Sequence, residues 1–564
     1  MKRFINEHEK RRSVSLDGLW RFITDKEDKG LSLGYEKGLP EEAKSTYVPS
    51  VFASTPTLLG YEGVCWYERK VFMEKGTVRL HFGAVMTDCA VYLDGEKLGT
   101  HYGGFCEFEF ILNIEDAGEH LLVVSVDNRF DAHSIPQAVV DWYHHGGITR
   151  SVTLEYLSGV AILSNHMHYK MSEDLSSASV FCELTLLNAE KEAKNATLAV
   201  SLDGTTLATV AVSLTAGEKK TVTTDTFKVG DLRLWDIGKS ELYTLKAETE
   251  TDDLIDRVGF RKIETDGYKI LLNGKPMIIK GVNRHEEHPD LGFAFPEALM
   301  GRDIELIEDL GCNSIRGSHY PNARPFLDML DEHGICFWSE IPFWGVGFEP
   351  ETVADPIVVA RGLEMMRDMV HYYYNHPSIL IFGMHNEMPT QAEPTLELTK
   401  KLHAILKEKG GNRLTVFASH KPLEDICFAY SDLYCINDYH GWYRYDLEGT
   451  GDFVKMVQAR IEAEGLPPRP MVMSEFGAAA IYGKRDFDTE IWSENYQARL
   501  LDYCIRLFLS DEKFGGCYIW HFADARTSFK NLNRARGFNN KGIFSEYRKP
   551  KLAYDAVKKV YHEF

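Results

Sequence analysis

Two short runs of sequence, IFGMHNE at residues 381–387 and MSEFG at residues 473–477, decide the expected fold. In each run apolar residues lead directly into a glutamate, Glu387 in the first and Glu475 in the second. Short apolar runs between helical patterns are typical of parallel strands that are buried on both faces. Their places along the chain predict the fourth and seventh strands of one (β/α)8 barrel. Both carboxylates would then lie at the C-terminal mouth, where barrel enzymes keep their active sites.

Six further strand-like runs complete a barrel that we place at residues 264–564. Helical patterns separate most of them, for example Met300, Ile304, Ile307 and Leu310, a face that Gly311 ends. The predicted strands are 276–282, 313–316, 335–340, 379–384, 414–419, 433–437, 471–475 and 517–521. Eight strands over about 300 residues match the usual size of a TIM barrel.

The chain before the barrel has almost no helical periodicity and predicts two β-sandwiches. Apolar residues alternate at 78–82, and Asp94-Gly95 predicts a hairpin turn. Residues 1–160 form the first predicted sandwich. Residues 161–263, with a second turn at Asp203-Gly204, have the length of an immunoglobulin-like sandwich. The predicted fold class is therefore multidomain, with β domains followed by an α/β domain.

Composition restricts the partners and the location. The 564 residues carry 63 Lys and Arg against 84 Asp and Glu, a net charge of −21. Such a surface repels nucleic acid and anionic membranes, so neither is an expected partner. The chain lacks a run of about 18 apolar residues and the apolar stretch of a signal peptide. Ten scattered cysteines without Cys-x-x-Cys pairs predict reduced, mostly buried thiols in a cytoplasmic protein.

Two carboxylates that face each other across a pocket suit the hydrolysis of a glycosidic bond. One must stay protonated to donate to the leaving oxygen, and the other must stay ionised to attack the anomeric carbon. Because like charges lie close together, the two pKa values move apart. A separation of about 5–5.5 Å would retain the anomeric configuration through a covalent intermediate. Asn-Glu and Ser-Glu pairs recur elsewhere in the chain, so only their position after a strand singles out Glu387 and Glu475.

Several longer motifs carry a resemblance to a known family. They are LDGLWRF at 16–22, GGF at 103–105, GVNRHE at 281–286, NSIRGSHYP at 313–321, DEHG at 331–334 and YIWHFAD at 518–524. With these motifs nearly the whole chain resembles glycoside hydrolase family 2, and within it the β-glucuronidases of bacteria. The resemblance implies a jelly-roll sandwich, an immunoglobulin-like sandwich and a TIM barrel, in the order derived above. It also implies a retaining enzyme that cleaves terminal β-D-glucuronides and forms a homo-oligomer, a dimer or a tetramer.

The same resemblance implies roles for individual residues. Glu387 corresponds to the acid/base and Glu475 to the nucleophile. The residues implied to bind the sugar ring are Asn386 at the 2-hydroxyl, Trp520 as the stacking floor, His319 in the pocket and Asp141 at a ring hydroxyl. For His319 a purely structural role in a strand-end loop is an equal alternative.

The substrate prediction depends on GFNNKG at residues 537–542. β-Glucuronidases of the family carry an Asn-x-Lys motif after the last barrel strand, where it binds the C6 carboxylate. The resemblance therefore implies this role for Asn539 and Lys541, an amide with directional donors and a compact cation. Asn-x-Lys also occurs in a turn at 273–275, so only its position makes the second copy informative. The loop at 437–443 resembles a family loop that implies a lining role for Asn437, Tyr439 and Tyr443.

Alternatives remain open beside this hypothesis. Asn539 and Lys541 would recognise only C6, so a β-galacturonidase or an enzyme that accepts both uronides is the alternative on the same scaffold, and a β-galactosidase fits less well. A carbohydrate-binding protein without activity is a distant alternative. The cluster His285-Glu286-Glu287-His288 is not His-Glu-x-x-His and has no evident third ligand, which argues against a metal. We expect no cofactor.

Three features depart from the family pattern. Met388-Pro389 follows the predicted acid/base where Pro-Asp is commoner. The stretch before Asn539 is longer, so the family's pocket arginine cannot be assigned to Arg534 or Arg536. The segment at 343–356 is short where some bacterial relatives have a long lid, which implies a more open leaving-group side.

Overall fold

The computed structural model describes residues 7–444, 446–528 and 534–564. Its internal contacts divide the chain into two compact units. The first contains the described residues up to Arg129 together with Gly146–Arg261 and His371–Pro377. The second contains Phe130–His145, Lys262–Val370 and Ser378–Phe564. The segment Phe130–His145 therefore groups with the barrel, although both of its flanks in sequence belong to the first unit.

The N-terminal part of the first unit is a sandwich of antiparallel strands. Its strands are β1 Arg12–Ser15, β2 Gly18–Asp25, β3 Lys44–Val48, β4 Val64–Met73, β5 Gly76–Phe82, β6 Val85–Met86, β7 Asp88–Leu93, β8 Glu96–Tyr102, β9 Phe108–Ile114, β10 Gly118–Asp127, β11 Gly147–Ile148 and β12 Val152–Leu157. One sheet has the order β3-β2-β4-β10-β7-β8 and the other β1-β12-β5-β9. Alternate side chains of both sheets, among them Trp20, Tyr67, Val78 and Leu80, form a single buried core.

A second sandwich follows in the same unit. Its strands are β13 Val160–Met171, β14 Ser177–Asn188, β15 Lys194–Leu202, β16 Thr205–Leu214, β17 Lys219–Thr223, β18 Phe227–Gly230, β19 Tyr243–Glu248 and β20 Asp253–Val258. The predicted hairpin turns are confirmed here and in the first sandwich. Asp94-Gly95 has φ values of 51° and 85°, and Asp203-Gly204 has 46° and 79°. A two-residue turn with both φ positive matches the twist of the strands that it joins.

The second unit contains a closed parallel barrel. A small sheet of β21 Ile263–Asp266, β22 Lys269–Leu272 and β23 Lys275–Met277 precedes it. The barrel strands are β24 Ile279–Arg284, β25 Ser314–Gly317, β26 Cys336–Glu340, β27 Ile379–Asn386, β28 Leu414–Ser419, β29 Tyr434–Asn437, β30 Met471–Glu475 and β31 Phe514–Ile519. Each of the eight predicted runs overlaps one of these strands. Sandwiches and barrel together confirm the predicted fold class.

Helices lie between most of the barrel strands. They are α1 Glu297–Asp309, α2 Arg324–His333, α3 Pro350–Val353, α4 Pro356–Tyr373, α5 Glu393–Lys409, α6 Thr450–Ala463, α7 Glu494–Leu509 and α8 Leu552–Glu563. A short ladder of β32 Ala525–Arg526 and β33 Phe538–Asn539 follows the last barrel strand. Among the described residues no helix combines the length and the apolar character that a membrane crossing requires. All ten cysteines are buried, as predicted.

Two strands are irregular where they reach the mouth of the barrel. The register of β27 against β28 shifts between Gly383 and Asn386, and that of β29 against β30 shifts at Asn437. Glu387, directly after β27, has a φ of 53°, which is rare for a residue with a side chain. Bulges and strained backbone of this kind redirect side chains and concentrate at active sites. The mouth of the barrel is therefore the candidate site of chemistry.

Candidate active site

The barrel brings the predicted site residues together at one end. β27 leads into Glu387, β30 ends at Glu475, and Trp520 follows β31. Eight of the eleven predicted residues line one cavity of about 590 Å³, a usual size for a small-molecule site. They are Asp141, Glu387, Asn437, Tyr439, Tyr443, Glu475, Trp520 and Lys541. The remaining three, His319, Asn386 and Asn539, are buried next to lining residues.

Glu475 is held by two strong donors. Arg316 Nη1 donates to Oε1 at 2.9 Å, and the Tyr439 hydroxyl donates to Oε2 at 2.8 Å. His319 Nε2 lies 3.6 Å from Oε1. A guanidinium and a phenol on opposite oxygens fix the plane of the carboxylate and favour its ionised form.

Arg316, at the third position of β25, belongs to the candidate site, although the sequence analysis quoted it only within a motif and gave it no role. Its side chain is fully buried. Besides Glu475, it donates from Nε and Nη2 to both oxygens of Glu340, at 3.0 and 2.9 Å, and from Nη2 to Asn386 Oδ1 at 2.8 Å. The sequence signal that could have found Arg316 is a cationic residue near the end of a predicted barrel strand. Glu340 ends the next strand along the chain. Arg316 therefore links Glu475 to Asn386, the last residue of β27, which directly precedes Glu387.

Replacement of Arg316 by methionine is expected to destabilise the barrel by about 3–5 kcal/mol, because the buried Glu340 carboxylate loses its counter-ion. Urea unfolding followed by circular dichroism measures the loss. The control is Arg499→Met, since Arg499 pairs at 3.2 Å with a mostly exposed Glu448 and its loss should cost less than about 1 kcal/mol. Equal unfolding midpoints for the two variants would contradict the role given to Arg316.

Glu387 has a weaker partner than Glu475. Its Oε1 accepts one hydrogen bond, from Asn437 Nδ2 at 3.0 Å. The same amide donates to Asn386 Oδ1 at 2.9 Å, and Asn437 Oδ1 accepts from Ser474 Oγ at 2.7 Å. Because these bonds fix the orientation of Asn437, the partner of Glu387 is a neutral amide in a defined position. Such a partner favours the anion less than a guanidinium does.

The electrostatics of the cavity raise the pKa of both carboxyls. Burial is the main cause at each site, and it raises the pKa of Glu475 to about 7. The neighbouring Glu387 charge adds to the rise at Glu475, whereas Arg316 and Tyr439 oppose it. Two like charges in one pocket favour a single shared proton near neutral pH. Arg316 and Tyr439 are stronger donors to an anion than the Asn437 amide is, so hydrogen bonding favours the ionised form more at Glu475 than at Glu387.

His319 and Trp520 form one wall of the site. The rings stack with centroids 5.0 Å apart at an angle of 18°. His319 Nδ1 lies 2.7 Å from Glu340 Oε1, and burial lowers the pKa of His319 to about 3, so the ring is neutral. Among the described residues, His319 Nε2 and Asn386 Nδ2 are buried without a hydrogen-bond partner. Buried polar atoms are nearly always paired, so these two are available to a ligand.

A second wall carries positive charge. Lys541 Nζ donates to the Tyr443 hydroxyl at 2.8 Å and lies 3.5 Å from Asn539 Oδ1. Arg534 donates to the same hydroxyl at 2.7 Å and from Nε to Asp141 Oδ1 at 2.9 Å. Asn539 Nδ2 donates to Asp141 Oδ2 at 2.9 Å. Two cations face one carboxylate, so the wall keeps an excess of positive charge for an anionic ligand.

The structure separates the two arginines that the sequence left unassigned. Arg534 lines the cavity as part of this wall. Arg536 pairs with Glu546 and is not a lining residue. The candidate metal cluster has structural contacts: His285 Nδ1 lies 3.2 Å from the Tyr320 hydroxyl, and Glu286 accepts from a backbone N–H at 2.9 Å.

Family models cover almost the whole chain. The sugar binding domain of the family 2 glycosyl hydrolases matches residues 13–157, a second family 2 model matches residues 160–261, and the family 2 TIM barrel domain matches residues 263–564. The chain belongs to glycoside hydrolase family 2. It is a glycosidase, and a cavity that holds two carboxylates at the barrel mouth agrees with that activity.

Curated family 2 relatives share about a quarter of their residues with the chain. A putative β-glucuronidase of Formosa agariphila is 28% identical over 97% of this chain and 70% of its own length. The β-glucuronidase of Homo sapiens is 26% identical, over 97% of this chain and 90% of its own.

Solved family 2 structures resemble the whole fold. A β-galacturonidase from Eisenbergiella tayi, bound to galacturonate, superposes with a TM-score of 0.92 at 34% identity, over 100% of this chain and 99% of that one. The β-glucuronidase of Ruminococcus gnavus superposes with a TM-score of 0.88 at 26% identity, over 99% and 100%.

Proposed function

We propose that this glycosidase hydrolyses terminal β-D-hexuronides with retention of configuration, and that β-D-glucuronides are among its substrates. The observation that carries the proposal is that Lys541, a buried ammonium, lines the same cavity as Glu387 and Glu475. The three groups match the three polar sites of a uronide: Lys541 its exocyclic carboxylate, Glu387 its leaving oxygen and Glu475 its anomeric carbon. Relatives named β-glucuronidase and β-galacturonidase support the same substrate class.

In the first step, Glu475 attacks the anomeric carbon while Glu387 gives its proton to the leaving oxygen. The C–O bond breaks, and a covalent glycosyl ester forms on Glu475. In the second step Glu387, now ionised, takes a proton from water. That water attacks the anomeric carbon, releases the sugar and returns Glu475 to its ionised form. Arg316 and Tyr439 hold the Glu475 carboxylate in place during both steps.

The C6 carboxylate would bind at the wall of Lys541, Arg534 and Tyr443. The chain as a whole carries a net charge of −21, so an anionic sugar needs cations inside the pocket. Burial lowers the pKa of the Lys541 ammonium, and an incoming carboxylate reverses that effect because it neutralises the buried charge. Asn539 orients both Lys541 and Asp141 through its amide.

The ring itself would lie against Trp520. Asn386 Nδ2, unpaired and buried, is the donor proposed for the 2-hydroxyl, and His319 Nε2 is the acceptor for a neighbouring hydroxyl. A hydrogen bond to the 2-hydroxyl strengthens as the anomeric carbon becomes positive, so Asn386 would contribute most in the transition state. Asp141 remains the proposed partner of a hydroxyl beside C6.

The pH profile of the variant Glu387→Gln tests the division of roles. In the unmodified protein kcat/KM should fall at low pH as Glu475 is protonated, and at high pH as Glu387 loses its proton. In the variant, assayed with a 2,4-dinitrophenyl uronide that needs no acid, the alkaline limb should disappear. The acidic limb should stay near its original position, because Glu387 is already protonated and uncharged at the pH where Glu475 titrates. An unchanged bell-shaped profile would contradict the assignment.

β-Galacturonide hydrolysis is the second candidate, and one observation favours it. The galacturonate-bound neighbour is 34% identical to this chain, against 26–27% for the R. gnavus β-glucuronidase structures. The C6 wall is common to both sugars, which differ only in the orientation of the 4-hydroxyl. Comparison of kcat/KM for 4-nitrophenyl β-D-glucuronide and β-D-galacturonide decides between them. A preference for the neutral β-galactoside over both would refute the proposal.

A further inference from the structure

The wall of the cavity beside Glu387 carries its own set of side chains. Arg444 and His420 line it together with Asp438 and the apolar residues Trp344 and Val346. The mechanism above assigns none of them a role. They line the same cavity as Lys541, and the set combines charged, polar and apolar side chains.

The barrel order places His420 and Trp344 beside Glu387, on the leaving-group side. Glu387 follows β27 and donates its backbone N–H to Ala418 of β28 at 2.9 Å, and His420 follows β28 directly. Trp344 pairs with Asn386 at the end of β27. The acid that protonates the leaving oxygen must lie beside that oxygen. Side chains grouped around Glu387 therefore face the group that departs.

The polar groups of this side are available to a ligand. Arg444 is exposed and makes no ion pair among the described residues, and His420 Nδ1 is buried without a hydrogen-bond partner there. Asp438, by contrast, is engaged with His440 Nδ1 at 2.7 Å. The positive charge of Arg444 acts on Glu387 and on His420. It lowers the pKa of both groups, although burial is the largest influence on each pKa.

We infer that Arg444, with His420 and the Trp344 ring, forms a leaving-group subsite for a carboxylate-bearing ring, such as a second uronic acid or an aryl carboxylate. A guanidinium with free donors binds a carboxylate through two parallel hydrogen bonds. Trp344 supplies an apolar plane for the ring that carries this carboxylate. The inference rests on the proposed hexuronidase function and narrows it to substrates with acidic aglycones.

The test compares two uronides of matched size, one with a 4-carboxyphenyl and the other with a 4-carbamoylphenyl leaving group. The unmodified protein should prefer the carboxylate by about 5-fold in kcat/KM, and less at 0.5 M salt. Arg444→Gln should remove the preference, and Arg444→Lys should keep part of it. The control is Arg485→Gln, since Arg485 is exposed and does not line the cavity.

The outcomes separate the subsite from the reaction. Hydrolysis of both substrates without a preference, or a preference that survives Arg444→Gln, would overturn the subsite and leave the hydrolase intact. Failure of the unmodified protein to hydrolyse either substrate would overturn the proposed function, and the subsite with it. Because Arg444 is exposed, its replacement is expected to leave the thermal unfolding midpoint within the range of the control.

Discussion

Replacement of Glu475 by glycine is expected to lower kcat for a terminal β-hexuronide by about 10³-fold or more, since the variant has no group to form the covalent intermediate. Azide distinguishes this cause from misfolding. A small anion that enters the space left by Glu475 attacks the anomeric carbon from the same face as the lost carboxylate. With a 2,4-dinitrophenyl β-uronide, the product should be an α-glycosyl azide.

The variant Glu387→Ala should give the opposite anomer of the glycosyl azide. Its covalent intermediate still forms with an activated leaving group, and azide then attacks from the side of Glu387, so the product is a β-glycosyl azide. Proton NMR of the anomeric hydrogen measures both products. Glu424→Gln, an exposed glutamate of the barrel, is the control and should keep full activity. Identical azide anomers from the two variants would refute the assignment of acid/base and nucleophile.

Replacement of Lys541 by methionine is expected to cost about 3–5 kcal/mol in the binding of the uronide transition state, because the C6 carboxylate would then be buried without its cation. That is a loss of roughly 10²- to 5 × 10³-fold in kcat/KM. The loss should be small for the neutral β-glucoside and β-galactoside, so the ratio of uronide to neutral substrate measures the role of the charge. The matched control is Lys455→Met, whose side chain is 77% exposed.

The Lys541 variant also separates recognition from catalysis. If Lys541 only stabilises the fold, all substrates should lose activity together and the unfolding midpoint should fall. If it binds C6, the uronides alone should lose activity. An unchanged kcat/KM for uronides would rule out Lys541 as the carboxylate site and leave Arg534 as the remaining cation of that wall.

The periodicity of apolar residues predicted the barrel well, and its failures have physical causes. The first strand was predicted at 276–282 but runs Ile279–Arg284, because its last residues are polar and buried. Arg284 pairs with Asp303 at 3.0 Å, and Asn283 donates to backbone carbonyls. An apolar pattern cannot detect a strand end whose side chains are satisfied by partners far along the chain.

The sequence predicted only some of the residues of the candidate site, for a related reason. Glu387 and Glu475 follow apolar strands, and that local signal predicted their position at the mouth. Arg316 has no such local signal, since its role depends on Glu340 and Glu475, which are 24 and 159 residues away. Arg534 is similar, because its partner Asp141 lies 393 residues earlier. Ion pairs between distant segments become visible only in three dimensions.

The segment Phe130–His145 has a consequence for engineering. It carries Asp141 into the barrel unit, yet it is encoded between two strands of the first sandwich. A truncated gene that begins at the barrel would therefore lack the carboxylate that holds Arg534 and Asn539. Chimeras that exchange barrels between relatives should transplant these sixteen residues with the barrel. Chimeras joined at the apparent domain boundaries would combine Arg534 and Asn539 from one parent with the Asp141 segment from another.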